Sequence, residues 1–409
     1  MKEYRHRLID PLVGDLLTEL PALMVTGPRA TGKTTTAARH AASIIRLDRE
    51  AEAAAFRADP DAALAGLPEP VLLDEWQVVP AVLGAVKRAV DSSDRPGRFL
   101  LTGSVRADIE AEPWPGTGRV VRLAMYPLTV AEQIGRRTVP LVDRIVRGEA
   151  LTAGGDPPDL RGYVDLALRG GFPEASLGLS GHTRRRWLDG YVDQLLTRDV
   201  RSIASGRDPV RLRRYFEAVA LNSAGLVDDK KIYDAAGINR RTALAYERLL
   251  ADLMVIDALP PWSSNRLKRL ARSPKRYLVD SSLLVGALGV DTAAVLRDGD
   301  VLGRVLDTFV TAQLRAEAVV AGARPRMYHL RQDGGRHEID LVLELGAQNV
   351  IGVEIKASSA PSVRDARHLA WFRDEIGDRF VAGVVLHTGP ANYGLGERIT
   401  AAPICTLWS

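Results

Sequence analysis

Ala22-Leu23-Met24-Val25-Thr26 runs directly into Gly27-Pro28-Arg29-Ala30-Thr31-Gly32-Lys33-Thr34, and this junction decides the fold. An apolar run predicts a buried strand. After it come Gly, four residues, Gly, Lys and Thr, the spacing of a phosphate-binding loop lying between a strand and a helix. The two glycines let backbone N–H groups curl around phosphate oxygens, with the positive end of the next helix aimed at them. Lys33 is expected to neutralise the β and γ phosphates of ATP, and the Thr34 hydroxyl to ligate Mg2+. Gly27, Pro28, Arg29, Ala30, Thr31, Gly32 and Thr35 complete the lining of the nucleotide.

Outward from this loop, Ile44-Ile45-Arg46-Leu47, Val71-Leu72-Leu73-Asp74, Phe99-Leu100-Leu101-Thr102 and Val120-Val121-Arg122-Leu123 repeat the short apolar run, with helical stretches between them. Near-continuous apolar strands separated by helices predict a parallel sheet covered on both faces. The third run ends in Asp74-Glu75, some forty residues past the loop. Asp74 is expected to hold the magnesium and Glu75 to polarise the attacking water, a pairing that implies hydrolysis as well as binding. Thr102 and Ser104 end the next strand, where they either sense the γ-phosphate or serve as turn residues. Arg119 is a candidate phosphate contact, in cis or across a subunit interface.

The chain has 409 residues, of which 46% are hydrophobic, enough for several domains with cores. No apolar stretch approaches a membrane span, and Met1 to Arg7 lacks the apolar run of a signal peptide, so a cytoplasmic protein with no membrane partner is expected. One cysteine, Cys405, excludes an internal disulfide, and the seven histidines never fall three or four apart as a helical zinc pair would. The net charge of +4 hides an asymmetry. Residues 181–280 hold 20 Lys and Arg against 12 Asp and Glu, a net +8 that leaves −4 for the remainder.

In that basic region, Lys231 to Ala236, Gly237, a capping Asn239 and a helix from Thr242 to Val255 form a helix-turn-helix pattern. Two apolar runs, Val255 to Leu259 and Arg276 to Val279, bracket a basic loop as the strands of a wing would. Arg240, Arg241, Arg266, Lys268, Arg269, Arg272 and Lys275 are the candidate nucleic-acid contacts, DNA first among them, unless the region packs between domains and the partner is a protein. A homo-oligomer is compatible with either reading.

Toward the C-terminus, strands are expected at Arg326 to Leu330, Glu338 to Glu344, Val350 to Ala357 and Phe380 to His387, with a helix from Val363 to Phe372. If the hairpin after Glu344 centres on Ala347, Asp340 lies opposite Glu354, and Lys356 shares Glu354's face. Asp340 and Glu354 then read as ligands for Mg2+ or Mn2+ with Lys356 catalytic, and Asp307 as a further acid. The alternative is an ordinary surface ion pair on a half-exposed strand.

Taken together, the phosphate loop, Leu73-Asp74-Glu75, Leu101-Thr102-Gly103-Ser104, Tyr126-Pro127-Leu128-Thr129, Gly170-Gly171-Phe172-Pro173-Glu174, Pro274-Lys275-Arg276-Tyr277 with Asp280, Glu338-Ile339-Asp340-Leu341 and Val353-Glu354-Ile355-Lys356 resemble a widespread prokaryotic family of ATP-binding proteins. The resemblance runs from about residue 20 to the end. It implies an α/β chain with an AAA+-type P-loop ATPase domain at 1–140, a helical lid or linker at 141–208, a winged helix at 209–285 and a restriction-endonuclease-like domain of the PD-(D/E)xK type at 286–409. One departure stands out, Asp307 before Thr308-Phe309-Val310 where that family usually carries Glu. The function expected is ATP hydrolysis by a protein acting on nucleic acid with a metal-dependent nuclease-like domain, or else a nucleotide-switched module that binds without cutting.

Overall fold

The structure, a computed structural model, describes residues 4–103, 118–199, 208–265 and 273–409. By its internal contacts the chain divides into two units, Met1–Pro127 with Leu250–Val255, and Leu128–Leu249 with Ile256–Ser409.

In the first unit every side chain of β1 (Ala22–Thr26), β3 (Val71–Asp74) and β4 (Phe99–Gly103) is buried, as strands covered on both faces must be. With β2 (Ser43–Arg46) and β5 (Val120–Ala124) they form, among the described residues, a five-stranded sheet in the order β2-β3-β4-β1-β5. All its pairings are parallel. Met24, Leu73 and Leu101 pack with Trp76, Val86 and Phe56 from the flanking helices to make the core. The loops following β1, β3 and β4 therefore open at one end of the sheet, where open parallel sheets bind their ligands.

Further along the chain, Asp229–Ala235 and Arg240–Asp252 are helices joined by a turn whose Asn239 Oδ1 accepts from the Thr242 N–H at 2.9 Å. An antiparallel pair follows, β6 (Ile256–Leu259) with β7 (Lys275–Leu278), and the second strand starts one residue earlier than its apolar run predicts. The 22-residue helix Gly299–Val320, capped by Asp298, then leads into a mixed sheet. Its strands β8 (Arg326–Gln332), β9 (His337–Glu344), β10 (Val350–Lys356), β11 (Phe380–His387), β12 (Tyr393–Gly396) and β13 (Ile399–Pro403) lie in the order β12-β13-β11-β10-β9-β8.

Glu344 pairs with Val350 and Leu341 with Val353, the register of a hairpin centred on residue 347. The following helix spans Arg367–Ile376 and buries Leu369 and Phe372 against Ile339, Val350 and Phe380. It starts four residues later than its apolar spacing suggests, because Asp365 takes hydrogen bonds from the Ser362 N–H and hydroxyl (2.7 and 3.0 Å) and closes a turn first. Among the described residues no helix is long and apolar enough to cross a membrane.

Candidate functional site

The loop after β1 has the shape its sequence predicts. Gly32, at φ 91°, turns the chain into the helix Lys33–Ala37, a left-handed conformation suited to glycine. A Cβ on Gly27 would lie 2.1 Å from the Met125 carbonyl oxygen, so only glycine lets the loop approach the segment after β5. Lys33 is 5% exposed, and its Nζ donates to the Pro28 carbonyl 2.8 Å away. Burial pushes its ammonium down to about 8, only partly opposed by Glu75 and Asp74. The loop thus holds a cation whose charge is poorly compensated until an anion arrives.

Thr34 and Asp74, forty residues apart, meet here: the Thr34 hydroxyl donates to Asp74 Oδ1 at 2.7 Å. The Thr102 hydroxyl donates to the same oxygen. Asp74 is buried, so one carboxylate oriented by two hydroxyls faces the loop. A hydroxyl and a carboxylate oxygen side by side are hard donors of the kind magnesium takes, and they fit that ion. Glu75 follows at φ 53°, a conformation unusual for a residue with a Cβ. Burial raises its carboxyl above the ordinary range against the pull of Lys33, and the Gln77 amide donates to it. A carboxylate with raised proton affinity next to a phosphate site suits a base. Arg29, Ala30 and Thr35 are exposed on the loop, while Pro28 and Thr31 are buried in it.

One expectation about this part of the chain changes, and another is left untouched. Ser104 lies outside the described residues. Arg119 precedes Val120, which pairs with Ala22 at the start of β1, so Arg119 stands at the end of the sheet opposite the loop. There it forms an exposed ion pair with Asp91 at 2.7 Å. A phosphate contact by Arg119 within its own chain is therefore corrected by the direction of the strands. Conversely, Arg7 was not anticipated. It is buried, and its guanidinium donates to the carbonyls of Thr31 (2.8 Å) and Tyr126 (2.6 Å), fastening the loop from behind. Its place in an N-terminal basic stretch carried no signal of this.

In the second unit Asp307, Asp340, Glu354 and Lys356 do come together, but with a fifth member. Lys275 is 2% exposed, with its Nζ 3.4 Å from Asp340 Oδ1, 3.7 Å from Glu338 Oε1 and 3.8 Å from Asp307 Oδ2. Burial presses its ammonium down, and the surrounding Tyr277, Asp307, Asp340 and Glu338 more than reverse this, so that it stays charged. Asp340 accepts from the Ile355 N–H at 2.9 Å and Glu354 from Lys356 Nζ at 2.8 Å. Against burial, Lys275 and Lys356 hold the Asp340 carboxyl below its usual range. Burial drives Asp307 up to about 7 and, with the help of Asp340, Glu354 up to about 8.

The acids expected to take a metal, Asp307, Asp340 and Glu354, thus lie near one another with Lys356 beside Glu354, and an ammonium lies among the carboxylates. Among the described residues no group of three His, Cys, Asp or Glu side chains is placed to hold a metal ion. Lys275 is buried, which corrects its reading as a surface contact for nucleic acid. Arg276 beside it also turns inward, donating to both oxygens of Glu247 (2.6 and 3.1 Å) and to Asp229 at 2.7 Å. Arg240 and Arg241 are exposed at the start of their helix. Arg266, Lys268, Arg269 and Arg272 lie outside the described residues.

Residues 19–134 match a family described as an AAA domain. Residues 160–294 and 302–407 match two families each described as a domain of unknown function, DUF8612 and DUF4143. Uncharacterized proteins of Mycobacterium tuberculosis and Mycobacterium bovis are each 29% identical to the chain over 392 residues, 95% of this chain and 81% of theirs. The Walker-type ATPase of Pyrococcus abyssi is similar at a TM-score of 0.44 and 14% identity, over 68% of this chain and 94% of that one. The AAA match takes in the loop, Asp74, Glu75 and Thr102, and the N-terminal part of the chain is a P-loop ATPase domain of the AAA type.

Proposed function

We propose that the protein hydrolyses MgATP at the loop of residues 27–35 and uses the nucleotide state to set how its second unit holds a nucleic-acid partner. The observation that carries the hydrolytic half is the meeting of Thr34 and Thr102 on one oxygen of Asp74, with Lys33 and Glu75 beside them. An arriving triphosphate offers Lys33 better acceptors than the Pro28 carbonyl and restores its full charge. Thr34 and Asp74 are the residues that would hold magnesium, and the ion when bound supplies charge neutralisation at the phosphate oxygens. Glu75 orients a water and takes its proton as the terminal phosphoryl group is transferred. Thr102 keeps the Asp74 carboxylate turned toward the loop. Glu75→Gln separates these roles, since the amide keeps the shape and loses the base. Nucleotide binding is expected to persist while phosphate release falls about 100-fold. Unchanged release would refute the assignment.

The nucleic-acid half rests on Arg240 and Arg241, exposed on the second helix of a helix-turn-helix that a two-stranded sheet follows. Affinity for DNA that falls steeply with salt, and falls again in Arg240→Glu with Arg241→Glu, is the expected result. Leu244, 53% exposed one turn beyond Arg240, favours the second reading, a protein partner. Salt-insensitive binding of a protein in place of DNA would decide for it.

A further inference from the structure

Lys275 has surroundings that neither ATP hydrolysis nor DNA binding requires. It sits on β7, in the stretch that matches one domain family, whereas Asp307, Glu338 and Asp340 belong to the stretch that matches the next. A lone ammonium is not buried to this degree without partners, and three carboxylates are not gathered this closely without a cation. Each accounts for the other.

The oxygens that face away from the lysine are mostly engaged. Asp307 Oδ1 accepts from the Tyr277 hydroxyl (3.2 Å) and the Thr311 hydroxyl (3.1 Å), and Asp340 Oδ2 accepts from the Ile355 N–H. Glu354 Oε2 is taken by Lys356, which leaves Glu354 Oε1 buried without a hydrogen-bond partner. A divalent ion held by carboxylates needs several oxygens converging at about 2.0–2.6 Å. The point toward which Asp307, Glu338 and Asp340 converge is taken instead by Nζ at 3.4–3.8 Å, the spacing of ion pairs. The magnesium or manganese that the sequence resemblance implies does not fit this arrangement.

We propose that Lys275 is the resident cation of the C-terminal carboxylate cluster. Its ammonium stands where a divalent metal would, ties β7 to the Gly299–Val320 helix and to β9, and leaves the cluster without metal-dependent cleavage of nucleic acid. This role of Lys275 is independent of what the second unit binds.

Mn2+ titration of the full chain, with free Mn2+ followed by electron paramagnetic resonance, tests it. The ATPase loop contributes equally to every variant, so differences report on the cluster. Wild type and Glu354→Gln are expected to bind the same number of ions. Lys275→Met is expected to take up one further ion, which Lys275→Met with Asp340→Asn loses again. A wild type that binds one ion more than Glu354→Gln would overturn the proposal. So would Mn2+-dependent DNA cleavage that Glu354→Gln abolishes, or a folded Lys275→Met that gains no ion. The comparison of wild type with Glu354→Gln stands even if Lys275→Met does not fold.

Discussion

Lys33 and Lys275 are both almost completely buried, and their surroundings push them in opposite directions. Around Lys33 the nearest hydrogen-bond partner is a carbonyl, and burial lowers the ammonium to about 8. Around Lys275 three carboxylates more than offset the same burial. The difference separates a site prepared for a ligand from one already filled by its own chain. Desolvation without compensation is tolerated in a folded protein where an incoming partner relieves it. Desolvation with full compensation leaves nothing for a ligand to gain.

Substitution of the two lysines puts the contrast to its sharpest test. Lys33→Ala removes the group that meets the phosphates, and ATP turnover measured by phosphate release should fall about 100- to 1,000-fold with the fold intact. If turnover survives, the two lysines do not differ in kind. Lys275→Met strands buried carboxylates instead, and the second unit should lose about 3 kcal/mol of stability, read as a lower urea midpoint at unchanged slope. An unchanged midpoint would mean that the lysine is not the cluster's counter-charge.

The pH dependence of nucleotide binding probes the same asymmetry more gently. Bound phosphates raise the proton affinity of Lys33, so binding above pH 8 takes up a proton. ATP affinity should be flat below pH 8 and fall about tenfold for each further unit, as measured by calorimetry in buffers of different ionisation enthalpy. The smallest effect is expected from Arg119→Ala, which removes an exposed ion pair with Asp91 at the far end of the sheet. Turnover should change less than about twofold. A larger loss, dependent on protein concentration, would mean that Arg119 acts on a neighbouring chain.

The two regions were not equally legible. The apolar runs gave all five parallel strands to within a residue, Ile44 to Leu47 standing one residue out of step with the observed Ser43–Arg46, and β1, β3 and β4 were the plainest because a strand buried on both faces has few alternatives. The hairpin register followed from the same alternation and from loop length. By contrast β12 and β13 are short, and β12 carries Gly394 and Gly396, so no periodic signal marked them. Arg7 also escaped notice, since its two acceptors are backbone carbonyls that no sequence pattern encodes.

The amino-acid order alone marked the phosphate loop and the acid pair after β3. A Gly-rich turn between strand and helix is a local device, and its chemistry comes from neighbours a few residues away. Only the tertiary structure decided the fate of the basic residues. Lys275 and Arg276 belong to a stretch that reads as a cationic surface, and both face inward because carboxylates from residues as distant as Asp229, Asp307 and Asp340 are gathered around them. The side on which a charge ends up is set by the partners that long-range folding brings to it, and those partners are nowhere near it in the chain.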